Sequence, residues 1–218
     1  MMRTTIPVEK REVLIAVRGF LKRLLEADVV EAVLTPMETP SGAITPALVA
    51  DPALLDAANP LAPVMGLNAA RIVGPVSIRE PRGRIAAVLR PCELRALVEL
   101  VKLQQASLDD LVTISMDCAG TYDVPTYLAK VQGIRDQGSG IRLWHELYDN
   151  LITDPRSLIP DLRDACQMCE KPHAAGGAIT LELFGADLGT GLPISLPDEI
   201  AEKLNSPAPL LSRSPAPG

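Results

Sequence analysis

The sequence predicts an α/β fold: a small mixed or parallel sheet built around one βαβ unit, with flanking helices and many loops. Three observations carry this. Arg84–Arg90 (RIAAVLR) is a short apolar run suited to a buried strand, and Pro91 ends it. Glu93–Gln105 then repeats apolar residues at helical spacing, with Leu94, Leu97, Val98 and Val101 on one face. Leu111–Met116 (LVTISM) follows the Asp109-Asp110 break as a second apolar run. Strand, helix and strand over so short a stretch imply parallel strands joined by a right-handed crossover.

The remaining elements follow in chain order. Residues 9–27 read as an amphipathic helix through Val13, Val17, Phe20, Leu21 and Leu24. Val29–Leu34 reads as a strand stopped by Pro36, and residues 36–83 as an irregular Pro-, Ala- and Gly-rich excursion with a short helix near Pro52–Ala58. Beyond the βαβ unit, residues 124–150 predict two helical pieces separated around Gln137–Gly140. Ile179, Leu181 and Leu183 alternate with Thr180 and Glu182 as in a half-buried strand, and Pro197–Leu204 suggests a short helix. Residues 1–204 are expected to form one domain, and 205–218 a flexible Pro- and Ser-rich tail.

Composition narrows the function classes. Hydrophobic residues are 47% and charged residues 22% of the 218, which suits a globular chain with a core. Aromatic residues are only 3%, and Lys plus Arg (21) fall short of Asp plus Glu (27). Neither a phosphate backbone nor stacked bases would select such a surface, so nucleic-acid binding is not expected. Glu9, Lys10, Arg11 and Glu12 stand where an export signal would be apolar, and no run of about 20 apolar residues could cross a bilayer. The expectation is a cytoplasmic protein without membrane insertion, in a reducing compartment where cysteines serve as ligands or catalysts more often than as disulfides.

The chain has four cysteines: Cys92, Cys118, Cys166 and Cys169. Cys92 lies just past the first strand of the βαβ unit and Cys118 just past the second. Parallel strands end on one edge of a sheet, so these two thiols are expected close together, at the edge where open α/β sheets build their sites. Cys166-Gln-Met-Cys169 is a C-x2-C chelate, a spacing that lets two thiolates reach one centre. With the cysteine loop folded over the strand ends, the four thiols would form one site. Iron–sulfur clusters and structural zinc both accept four thiolates. Two singleton ligands favour a [4Fe–4S] cluster over zinc, whose ribbons bring paired knuckles. Arg90 and Arg95 flank Cys92, and the helix N-terminus there offers N–H donors, so both arginines are candidates to stabilise an anionic cluster. Four unconnected buried cysteines, a zinc-stabilised interaction module and a thioredoxin-like dithiol are the competing readings. The last fits poorly, because no strand pattern precedes Cys166.

Lesser candidates each have a plain alternative. Asp117 could orient a ligand or simply form a turn, and Gly176-Gly177 could approach a phosphate or simply turn the chain. His145 reads as packed and His173 as solvated, and Arg95 could pair with Glu99 at i, i+4.

The stretch LRPCELRALVELVKLQQASLDDLVTISMDCAGTYDV, followed by ACQMCEKP, resembles the beta subunit family of coenzyme F420 hydrogenases and dehydrogenases, including formate dehydrogenase beta subunits. Its P-C-E-x-x-A-L, D-C-x-G-T and C-x-x-C elements stand in the same order, and FLKRLLEADVVEAVL and DPALLDAANPLAPVM resemble the family's N-terminal part. The likeness extends from Phe20 to Asp187. It implies an electron-transfer subunit whose Cys92, Cys118, Cys166 and Cys169 hold a [4Fe–4S] cluster, with FAD nearby to exchange hydride with F420, and other subunits of a redox complex as partners. No cysteine remains for a ferredoxin-like segment, and Gly19 stands alone where that family tends to place a Gly pair.

Overall fold

The computed structural model describes residues 1–78, 83–132, 139–153 and 159–205. Its strands are β1 (Met2–Pro7), β2 (Ala32–Glu38), β3 (Ile44–Val49), β4 (Ile85–Leu89), β5 (Leu111–Met116), β6 (Ile179–Leu181) and β7 (Gly191–Leu196). The helices are α1 (Val13–Glu26), α2 (Ala70–Ile78), α3 (Pro91–Lys102), α4 (Val124–Gln132), α5 (Ser139–Thr153), α6 (Asp164–Gln167) and α7 (Asp198–Asn205), with a 3-10 turn over Pro52–Ala57.

The strands form one seven-stranded sheet in the order β1-β7-β6-β5-β4-β2-β3. Its centre, β2-β4-β5-β6, is parallel. Antiparallel pairs flank that centre: β2 with β3 on one side, β6 with β7 and β7 with β1 on the other. The expected βαβ unit is present as β4-α3-β5, with Leu89 opposite Ser115.

Side-chain alternation along β4 explains the layers. Ala86 and Val88 join a core with Val13, Val17, Leu21 and Leu24 of α1, while Ala87 and Leu89 point to the opposite face and pack with Val73 of α2 and Leu94 and Leu97 of α3. All five residues of β4 are buried, which is why this run is continuously apolar.

Some expectations need correction. The first helix starts at Val13 and not at residue 9, because β1 and a tight turn precede it. The second strand does not stop at Pro36. It pairs with β4 only over Ala32–Leu34, and beyond that its one strand partner is β3, with Pro36 facing Pro46. Proline lacks the ladder donor, but past Leu34 no β4 acceptor waits for it. The excursion over 36–83 therefore carries β3 and α2 as well as the foreseen short turn at Pro52–Ala57. The expected alternation continuing to Leu183 forms a strand only to Leu181. Part of the break between α4 and α5 and the tail 206–218 lie outside the described residues.

Candidate metal centre

The site begins with how β4 and β5 end. The crossover puts both C-terminal ends on one edge of the sheet. Arg90 caps α3, Pro91 fills its first position, and Cys92 its second. Asp117 and Cys118 follow β5 directly on the same edge.

Arg90 is buried, and its guanidinium reaches across the strand end. It donates to the carbonyls of Ala62 (2.8 Å) and Val64 (3.0 Å) and lies 3.7 Å from the Glu93 carboxylate. Glu93 is also buried; it accepts from the backbone N–H groups of Arg90 (3.0 Å) and Ala69 (2.9 Å). A charge pair withdrawn from water persists only when its remaining donors and acceptors are satisfied, and here backbone groups do that. Arg95 is exposed and donates to the carbonyl of Lys171 at 3.4 Å, two residues past Cys169. The alternative pairing with Glu99 is not made: Glu99 contacts Lys102 at 2.7 Å.

The cysteine loop folds over these ends. Cys118 donates its N–H to the Pro172 carbonyl at 2.9 Å, and Arg163 donates its N–H to the Thr121 carbonyl at 3.0 Å. Thr121 Oγ1 lies 3.2 Å from Cys166 Sγ. The closing turn is tight enough to require glycine at 120. Its φ is +104°, and a Cβ there would stand 2.9 Å from Leu162 Cδ1. Cys166 sits in α6, and Cys169 N–H donates to its carbonyl at 3.2 Å, the local turn expected of a C-x-x-C chelate.

Electrostatics link the thiols. Burial raises the Cys118 thiol to about 11; Arg90 and a hydrogen bond from Gly120 N–H oppose it, while Cys92 and Cys166 reinforce it. Burial also raises Cys92, although that residue keeps exposed surface, with Glu93 and Cys166 acting in the same direction and Arg90 and Arg95 against it. Three thiols from three separate segments thus feel one another beside a buried cation. Cys169 is exposed. Among the described residues, no group of three or more His, Cys, Asp or Glu side chains converges on the position of a single metal ion. The four side chains in themselves suit soft metal and cluster chemistry: all are thiols, partly desolvated, with a buried cation and the Gly120 N–H alongside.

No protein-family model matches the chain. Over 49 residues it is 37% identical to the F420-dependent formate dehydrogenase 1 subunit beta of Methanococcus maripaludis, a match covering 22% of this chain and 13% of that protein. The chain therefore spans only a small part of this relative. A solved structure of the F420-reducing [NiFe] hydrogenase complex from Methanosarcina barkeri contains a chain that superposes with a TM-score of 0.60. That alignment covers 93% of this chain and 77% of the other at 10% identity. The two chains share a fold.

Within this fold the other candidates find their places. His145 packs edge-on against Trp144 with ring centroids 5.0 Å apart, and burial lowers its pKa. His173 is exposed, 4.0 Å from Asp117, and edge-on to Phe184. Gly177 turns the chain tightly against β5, where a Cβ would meet Ser115 at 3.0 Å, so the turn reading holds for that glycine pair. Asp117 accepts three backbone N–H groups. Sequence reasoning assigned Glu93 and Thr121 no role beyond their places in the P-C-E-x-x-A-L and D-C-x-G-T elements, and Arg163 none. Glu93 carried a signal: it is the third residue of a helix opened by proline, where a carboxylate reaches back to free N–H groups. Arg163 carried none, because its role depends on a loop meeting Thr121 across the fold.

Proposed function

We propose that this chain is an electron-transfer subunit of a larger redox complex, holding one [4Fe–4S] cluster through Cys92, Cys118, Cys166 and Cys169. The observation that carries the reading is that paired β4 and β5 end at one sheet edge with Cys92 and Cys118 beside buried Arg90, while Cys166 lies against Thr121 and Cys118 is hydrogen-bonded to Pro172 of the cysteine loop. The similarity to a formate dehydrogenase subunit, and the fold shared with a chain of a hydrogenase complex, support it. Such a cluster supplies reversible one-electron transfer when bound. The chain's own residues do the rest. Cys92 and Cys118 are held at the ends of two paired strands, so their separation is set by the sheet. Cys166 and Cys169 come from one turn, which can adjust to them. Arg90 offsets thiolate charge, Arg95 ties the loop beside Cys169, and the Gly120 N–H stabilises sulfur as an anion. With the four cysteines of this chain used in one cluster, the electrons pass onward to a further redox group of the complex.

Purification without oxygen, with assay of iron, sulfide, zinc and flavin, tests the proposal. About four irons and matching sulfide per chain, with visible absorption that bleaches on reduction, are expected. Stoichiometric zinc without sulfide would instead support a zinc-stabilised interaction module and overturn the proposal. Bound FAD would make the chain a site of hydride exchange with F420 or a similar carrier, the reading suggested by the F420-dependent relative.

A further inference from the structure

We propose that Asp117 is the positioning residue of this centre, its buried carboxylate locking the segment that follows the C-x-x-C chelate onto the strand end that carries Cys118. The inference rests on the cluster reading above and concerns what sets the distance between the chelate and the two singleton cysteines.

Asp117 is 6% exposed. Its Oδ1 accepts from Ala174 N–H at 2.5 Å, and its Oδ2 accepts from Leu183 and Phe184 N–H at 2.7 and 2.8 Å. A carboxylate this far from water needs such donors in place of its lost hydration, and hydrogen bonds to a carboxylate are stronger than those between neutral groups. These donors come from either side of β6, so one side chain joins the loop after Cys169 to the chain after β6. The next residue completes a staple: Cys118 N–H donates to Pro172, three residues past Cys169, while Ala174 donates back to Asp117.

Alternation along β5 explains why the strand offers this hold. Val112, Ile114 and Met116 face the larger core. Thr113, Ser115 and Asp117 fall on the other face, and residues 174–178 lie along it. Thr113 Oγ1 accepts from Ala178 N–H at 3.0 Å, and Gly177 packs on Ser115 with no room for a side chain. Ser115 Oγ is buried without a partner, so backbone bonds to Thr113 and Asp117 hold the two ends of this segment. The carboxylate also places a fixed negative charge one residue from a cluster ligand, which disfavours adding an electron to the cluster.

Asp117→Asn keeps the shape but removes the charge and turns an NH2 toward a backbone donor. The expected result is a folded protein, by circular dichroism, that retains less than half the wild-type iron after anaerobic purification. Its remaining cluster should have a more positive reduction potential, a shift that a purely structural contact would not produce. Wild-type iron content together with an unchanged potential would overturn the inference. If that variant does not fold, amide hydrogen exchange on the wild-type chain decides. The Ala174, Leu183 and Phe184 amides should be as protected in the metal-free protein as in the loaded one, because the clamp precedes loading. Loss of their protection in the metal-free chain would overturn it. Absence of iron and sulfide from the wild-type protein would count against the cluster reading, while the exchange measurement would still judge the clamp.

Discussion

At the scale of single residues, Arg90 and Cys118 show how burial makes a group consequential. Arg90→Met leaves Glu93 buried without its charge partner and two carbonyls without their donor. Breaking such a pair costs about 3 kcal/mol, which chemical denaturation should detect as a lower midpoint. Cys118 sets a pH dependence in the metal-free protein. Its thiol titrates near 11 when folded, against 9.0 for an unperturbed thiol. The folded state holds that proton more tightly, so stability is full below the unfolded pKa and declines as pH rises between the two values. Thermal melts from pH 8 to 10.5 should show a steeper decline for wild type than for Cys118→Ala. In the loaded protein, Cys92→Ser should lose most of the iron, as plasma emission measurement on anaerobically purified samples would show; full retention would exclude Cys92 as a ligand.

At the scale of elements, the β4-α3-β5 unit was legible because each of its strands is an apolar run bounded by a breaker, Pro91 after one and Asp109-Asp110 before the other. The positions of Cys92 and Cys118 came with it. The two outer strands of the sheet were not legible. β1 is exposed on both faces at nearly every position, so no alternation marks it, and β3 carries Pro46 opposite Pro36. Their pairing depends on partners far along the chain. The cysteine loop was half legible: its C-x-x-C spacing marks a tight local turn, but its seat on Thr121, Cys118 and Asp117 is tertiary. Gly120 gives this scale its test. Gly120→Ala forces a side chain into a left-handed φ and against Leu162, at a cost of about 2 kcal/mol. Its effect should extend to the loop, with faster alkylation of Cys166 by iodoacetamide than in wild type.

At the scale of the whole molecule, the sheet manages its edges by ending in antiparallel strands. β1 is short, carries Arg3 paired with Glu182, and covers β7, whose residues are largely buried. Removing residues 1–7 uncovers the ladder groups of Gly191–Leu196 and creates an edge suited to pairing with another copy. Light scattering of that truncated protein should show self-association where the intact chain shows less. No helix among the described residues is long and apolar enough to cross a membrane.

The pairing of β1 with β7 also has a consequence in time. During synthesis β1 emerges before its partner β7 and must wait for it, with β6, which lies between β7 and β5, needed to join β7 to the rest of the sheet. Cys92 and Cys118 leave the ribosome well before β7, whereas Cys166 and Cys169 precede it by only about two dozen residues. Cys92 and Cys169 keep exposed surface in the finished fold, so the late closure of the β1 edge does not shut these thiols away.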